Sequence, residues 1–388
     1  MVHASISLGA VAARRVSSHV EPFAARKAFP ISLRQLIFFG RDVNRDKLVT
    51  AGNFIRTELP VRLAHRIKDL EVLPYVVGSN PVIKPVFERY VDAFERIRTY
   101  PVIRTFEDNL QFCEFMKGLL EEHLVIIPLL ARALQDSAKE TPASQLDAFM
   151  AKMLRSRISR RILTQQHIAL SEQYASGSFE RGAASDRFVG VVDNRLCPAE
   201  VAERCARLVT SAMIDEVPEH EHAQLRFDID GNTKATFSYL PEHLEYILFE
   251  LYRNSAKATL ARHGDHACEH PISTTICESG TDMLIRVSDQ AGGIPPFDLD
   301  RPLTGSARLE VFSFVNPRTF SSGQSEVERL AATVAEQRAV KGQMGLGLGL
   351  SRMYAEFFGG DLDLYSLPEW GSDAFVRIPL VVGKQDHI

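Results

Sequence analysis

Three short stretches of this sequence set side chains and glycines at spacings that chemistry can use. In E-L-Y-R-N-S-A-K, Glu250, Asn254 and Lys257 stand at i, i+4 and i+7, which on a helix lines up an acid, an amide and a base. The solvated face of an ordinary amphipathic helix reads the same way, with Leu244, Ile247, Leu248 and Leu251 as its apolar stripe. In R-V-S-D-Q-A-G-G-I-P, Asp289 ends a strand and Gly292 and Gly293 follow in a turn. An acid there can accept a hydrogen bond from a base amino group, and the glycines let backbone approach a ligand closely. A strand with an Asp-Gly turn is also common where nothing binds. In G-Q-M-G-L-G-L-G-L-S, Gly345, Gly347 and Gly349 alternate just ahead of a helix, where successive backbone N–H groups can face phosphate oxygens. A ligand-free hinge is the alternative. The regular segment that follows, F-F-G-G-D-L-D-L-Y-S and then E-W-G-S-D-A-F-V-R-I-P-L, weakens it.

Placing three such stretches takes a folded scaffold, and the composition allows one. A chain of 388 residues with 45% hydrophobic content suffices for two domains of roughly 100 to 200 residues each. A net charge of -4 gives no electrostatic reason to expect nucleic acid. The cysteines form no C-x-x-C pair and lack metal-ligand spacing, so they read as reduced thiols. No apolar run approaches the ~18 to 20 residues of a membrane span, and L-V-I-I-P-L-L-A is broken by Pro128. Residues 1–29 carry Arg14, Arg15, Arg26 and Lys27 against a single acid, Glu21, among serines and alanines. That is the composition of a mitochondrial transit peptide.

From Ile31 to Tyr174 the period is helical, over Ser32–Gly40, Leu48–Leu70, Pro85–Arg98, Thr105–Gln135 and Gln145–Ser171. These read as an up-and-down helical bundle. The small, polar stretch Ser176–Asp186 reads as a linker. Beyond it, strand patterns such as L-R-F-D-I-D, I-S-T-T-I-C and D-M-L-I-R-V-S-D alternate with helices at Pro198–Ile214, Pro241–Arg262 and Leu350–Phe358. The expected second domain is mixed α/β, with helices on one face of a sheet. Phe297–Met344 has no clear period, as a functional lid or a disordered loop would not.

The order E-x-x-x-N, D-x-x-G-G, a long lid, G-x-G-x-G and G-S-D resembles the nucleotide-binding domain of the GHKL ATPases and kinases. The N-terminal stretches S-L-R-Q-L-I-F-F-G-R, F-I-R-T-E-L-P-V-R-L-A, L-L-E-E-H-L-V-I-I-P-L-L-A and R-S-R-I-S-R-R-I-L-T-Q-Q-H-I-A-L resemble the helical domain of the mitochondrial 2-oxoacid dehydrogenase kinases. Together the resemblance covers Ile31 to Leu380. It implies a transit peptide over 1–29, a regulatory and lipoyl-docking four-helix bundle over 30–175, and a GHKL (Bergerat) α/β sandwich that binds ATP over 176–388.

The resemblance also implies roles. Glu250 would be the general base that takes the serine hydroxyl proton, and Asn254 would coordinate the magnesium on the nucleotide phosphates. Asp289 would hold the adenine, helped by Ser372. Gly293, Gly345 and Gly347 would shape the pocket and its lid, and Arg253 and Lys257 match basic positions beside the Asn. The implied enzyme is a serine kinase of the mitochondrial matrix that inactivates the E1 alpha subunit of a 2-oxoacid dehydrogenase complex. It would dock on the lipoyl domain of the E2 core, as a homodimer, with no nucleic acid and no membrane span.

Several positions depart from that pattern. Ala291 replaces the first glycine of the Asp turn, which predicts a rearranged backbone there, and Gly349 stands where Pro is usual. Tyr246, and a chain that ends soon after its last strand, lean toward the branched-chain complex; pyruvate dehydrogenase stays open as the substrate. Two other readings remain: a soluble histidine kinase using His123 or His167, and an inactive nucleotide-gated scaffold.

Overall fold

The computed structural model describes residues 18–138, 140–177, 187–216, 224–294, 307–308 and 346–381. Gly345, most of the expected linker, nearly all of the expected lid and residues 1–17 of the expected leader lie outside them. The described residues form two compact units, one up to Val191, the other from Val192 to Phe312 and from Gly347 onward.

The first unit is mostly helical. Three of its described helices begin on side-chain caps. The Ser32 hydroxyl accepts from the Gln35 N–H at 3.2 Å, and the Gln35 side chain accepts from the Ser32 N–H at 3.0 Å, opening α1 (Leu33–Gly40). Asn44 caps α2 (Arg45–Glu71), and Thr105 with Asp108 forms a second capping box at α4 (Phe106–Glu122). α2 packs against α3 (Ile83–Arg98), α4 and α6 (Ala143–Ala175), while α5 (Ile126–Ser137) packs against α3 and α6. Where the periodicity predicts one helix over Thr105–Gln135, the structure has two. Pro128 lacks an N–H, and its ring excludes the carbonyl four residues back from a helical position. The helix therefore restarts at Ile126, which puts Pro128 in a first turn that needs no such bond.

A polar knot sits inside this unit. His167 Nε2 donates to Asn109 Oδ1 at 2.8 Å, and Asn109 Nδ2 donates to Ser171 Oγ at 3.0 Å, with all three residues buried. Burial pushes the His167 imidazole down to about 4. His123 lines a small pocket of about 40 Å³ with Leu63, Tyr90, Met116 and Arg160. Burial, then the charges of Arg160 and Arg157, push it down to about 3. Among the described residues no helix is long and apolar enough to cross a membrane.

The second unit is a two-layer α/β structure. After β1 (Phe188–Val189), β2 (Val192–Leu196) pairs antiparallel with β4 (Phe237–Tyr239). The main sheet runs in the order β3 (Phe227–Gly231), β5 (Ile272–Glu278), β6 (Asp282–Ser288), β9 (Gly371–Pro379), β8 (Asp361–Leu367) and β7 (Ala307–Arg308). Among the described strands of this sheet only β3 and β5 are parallel. Alternation puts Ile272, Ile276, Ile285, Val287, Val376 and Leu362 on the buried face, and Leu284, Arg286, Phe375 and Arg377 on the open one. Among the described residues α7 (Pro198–Glu216), α8 (Pro241–His263) and α9 (Gly347–Phe357) accompany the sheet.

Candidate functional site

The central element is α8. Pro241 opens it, where a missing N–H costs nothing, and Gly264 at φ 54° ends it. Two hydroxyls fix its neighbourhood. Tyr252, fully buried, shares a hydrogen bond of 2.6 Å with Thr274 on β5, and Tyr239 on β4 donates to the carbonyl of Tyr354 on α9 at 3.3 Å. His243 and Tyr246 then pack their rings on Tyr354 at 4.4 and 5.1 Å, which seats α9 beside α8.

That seating brings Glu250 to Gly347. Glu250 is only 4% exposed, and a Cβ placed on Gly347 would meet its Oε2 at 2.1 Å. The carboxylate thus lies against the first residue of α9, where the helix dipole favours negative charge. The same helix start has the geometry that suits a phosphate, so a buried carboxylate and an anion-favouring helix start share one wall.

About 7–8 Å further along α8, at 1.5 Å per residue, a second cluster forms around Asp289. The β6–β9 register sets Asp289 opposite Ser372: its N–H donates to the Ser372 carbonyl at 3.0 Å, and the Ser372 N–H returns a bond to Oδ1 at 3.2 Å. The Ala291 N–H also donates to Oδ1 at 3.1 Å, and the Ser255 hydroxyl donates to Oδ2 at 2.8 Å. Burial pushes the Asp289 carboxyl above the usual carboxylate range; these bonds pull it back, and the charge of Asp373 adds to the rise.

The turn that follows needs its glycines. Gly292 and Gly293 have φ of 82° and 77°, and a Cβ on Gly293 would meet the Leu367 carbonyl at 2.6 Å. The turn is stitched to the β8–β9 hairpin: the Gly292 N–H donates to the Trp370 carbonyl at 3.1 Å, the Glu369 N–H donates to the Gly292 carbonyl at 3.0 Å, and the Ile294 N–H donates to Ser366 Oγ at 2.7 Å. Gly371 is equally tight, since a Cβ there would meet the Asp289 carbonyl at 1.9 Å. Ala291 is not among the residues with positive φ, so at that position the missing glycine costs no strain.

The site therefore joins Glu250 with Gly347, and Asp289 with Ser372. Arg253 is buried while Asn254 is exposed and Lys257 half-buried, so Arg253 leaves α8 on a different side from Asn254. Ser255 and Gly371 were not singled out from the sequence. A serine in a helix interior, and the glycine of G-S-D, were the available signals.

The residues present fit a magnesium nucleotide. Asp289 is a buried acceptor beside glycines that leave no room for a side chain, and α9 starts on glycine against Glu250. Asn254 offers one hard oxygen, and among the described residues no group of three or more His, Cys, Asp or Glu side chains could hold a metal. A single amide oxygen is the kind of ligand magnesium takes beside its waters and the substrate phosphates.

Comparison with known proteins agrees with this geometry. A family model described as mitochondrial branched-chain alpha-ketoacid dehydrogenase kinase matches residues 30–193. A second, described as the histidine kinase-, DNA gyrase B- and HSP90-like ATPase, matches residues 239–382. The chain is 28% identical to pyruvate dehydrogenase (acetyl-transferring) kinase 2, mitochondrial, of Saccharomyces cerevisiae, over 92% of this chain and 83% of that protein. It is 27% identical to the mitochondrial pyruvate dehydrogenase (acetyl-transferring) kinase of Arabidopsis thaliana, over 95% of each. With isozyme 4 of the same kinase from Rattus norvegicus it shares 28% identity, over 94% of this chain and 84% of that one.

Proposed function

The chain belongs to the mitochondrial 2-oxoacid dehydrogenase kinases of the GHKL superfamily, and from that premise we propose that it uses Mg-ATP to phosphorylate a serine of the E1 alpha subunit of a 2-oxoacid dehydrogenase complex. It is a protein kinase that binds ATP. The observation that carries the substrate-level reading is the contact between Glu250 and Gly347: a carboxylate held at the helix start that suits the phosphates. In the reaction the serine oxygen attacks the γ-phosphorus, the bond to the ADP oxygen breaks, and the hydroxyl proton goes to Glu250. Asp289, oriented by Ser255 and by the Ala291 and Ser372 N–H groups, accepts from the adenine amino group. Asn254 would hold the magnesium, which neutralises phosphate charge when bound. Gly293 and Gly347 shape the pocket, with Ser372 at the adenine and Lys257 and Arg253 as basic neighbours; the expected Gly345 lies outside the described residues.

The partners that follow are the E1 alpha subunit, the lipoyl domain of the E2 core and a second copy of the chain, in the mitochondrial matrix. Phosphorylation would switch the complex off, because added negative charge forces an active-site loop to rearrange. The matched relatives are named for pyruvate dehydrogenase, so that complex is the first to assay, ahead of the branched-chain one favoured by Tyr246.

The test is transfer of labelled phosphate from ATP to purified pyruvate and branched-chain E1, each with its lipoyl-bearing core. Acid-stable label on one E1, absent with Glu250→Gln, is the expected result. Acid-labile label on the chain itself would point to a histidine kinase. His167, 4% exposed and bonded to Asn109, is poorly placed as the acceptor. ATP binding with no transfer to either E1 would point to an inactive scaffold.

A further inference from the structure

The buried ion pair of the helical unit is completed by backbone from the segment whose composition reads as a leader. Glu58 and Arg62, 1% and 8% exposed, pair at 3.0 Å on one face of α2. Arg62 Nη1 donates to Ser159 Oγ at 2.9 Å, and Nη2 donates to the Phe29 carbonyl. The Phe29 N–H donates to Glu58 Oε1 at 2.9 Å. One residue thus supplies a donor to the buried acid and an acceptor to the buried base.

The residues before Phe29 are packed as well. Residues 18–24 are helical; Val20 is fully buried and the Phe23 ring meets Phe94 edge-on at 5.3 Å. His65 Nε2 lies 3.1 Å from the Ala24 carbonyl and 2.8 Å from that of Arg26. Glu21 pairs with Lys68 at 2.7 Å, and His19 with Glu95 at 3.1 Å. A chain starting at Pro30 would leave the buried Glu58 and Arg62 each short of a hydrogen bond and would uncover Phe94. A buried charge left short of a hydrogen bond costs stability even when its ion partner remains.

The leader signal does not need this segment. Residues 1–17 contain Arg14 and Arg15, serines and no acid, whereas Glu21, the lone acid, belongs to the packed part. Resting on the mitochondrial reading above, we propose that leader removal ends at or ahead of Ser18, and that residues 18–29 stay in the mature enzyme as a clasp on α2 and α3.

The experiment is import of the labelled full-length chain into isolated mitochondria, with the new N-terminus mapped by mass spectrometry. A protected product beginning at or before Ser18 is expected. One beginning beyond Ser18 overturns the proposal. A chain that is not imported, or is imported uncut, overturns the leader reading beneath it. In parallel, purified chains beginning at Ser18 and at Pro30 are melted. The first should match the full-length protein, and the second should lose roughly 5–15 °C; equal melting temperatures overturn the clasp. Should the shorter chain fail to fold, Val20→Ala with Phe23→Ala in the full chain gives the graded answer, a loss of several degrees expected and no loss overturning the clasp.

Discussion

The Glu250 carboxylate stands where the side chain of residue 347 would be, with Oε2 only 2.1 Å from a Cβ built on Gly347. The obstacle to a methyl group is the far end of a side chain, which can swing aside, whereas at Gly371 it is the Asp289 carbonyl at 1.9 Å, which cannot. Gly347→Ala should therefore fold with nearly wild-type stability and lose turnover. Gly371→Ala should lose roughly 1–3 kcal/mol, as overpacking does. Thermal melts beside phosphate-transfer rates check both, and the idea fails if Gly347→Ala keeps its rate.

Glu250→Gln removes the proposed proton acceptor and keeps the shape. Turnover should fall roughly 10²- to 10⁴-fold, the range for losing a general base, with nucleotide affinity spared. Asn254→Ala should do the reverse and weaken magnesium-dependent nucleotide binding. Titration calorimetry with and without magnesium separates the two; unchanged magnesium-dependent affinity in Asn254→Ala would remove Asn254 from the site.

Ser255 donates to one oxygen of Asp289, and two backbone N–H groups occupy the other. Deleting that donor leaves a buried carboxylate partly unsatisfied, a loss of about 1–3 kcal/mol. Ser255→Ala should thus raise the Kd for ATP without changing turnover at saturation. A fall in saturated turnover with unaltered Kd would contradict it.

The helical unit should weaken in mild acid. His167 is held at about 4, below its ordinary 6.5, so between those values the unfolded chain binds more protons than the folded one. Stability from this group is whole above about pH 6.5 and is lost as pH falls toward about 4, by at most about 1.4 kcal/mol per pH unit. His123, at about 3, acts in the same direction. Between pH 7 and pH 5 the urea midpoint should fall further for wild type than for His167→Gln. Parallel curves would refute the assignment to His167.

Much of this arrangement was readable from the residues. The 3.6-residue period marks α2, α3 and α6, and Pro241 with Gly264 brackets α8 to within a residue, because caps and periodicity are local. Asp289 at a strand end before two glycines is also a local pattern, and the turn places it there. What the period misses is non-local. Ser255 matters because a strand brings Asp289 to it from 34 residues away. β4 is three residues long, too short for alternation to register, and is made a strand by pairing with β2. The break before α5 depends on one proline overriding an otherwise continuous apolar stripe.

Trp370 is the sole tryptophan in the chain; it is 65% exposed, and its carbonyl accepts from the Gly292 N–H. The indole therefore rides on the hairpin that is stitched to the Gly292–Gly293 turn. On the proposed reading, nucleotide binding beside that turn alters the water around the sole indole, which gives the unlabelled protein its own optical gauge of occupancy.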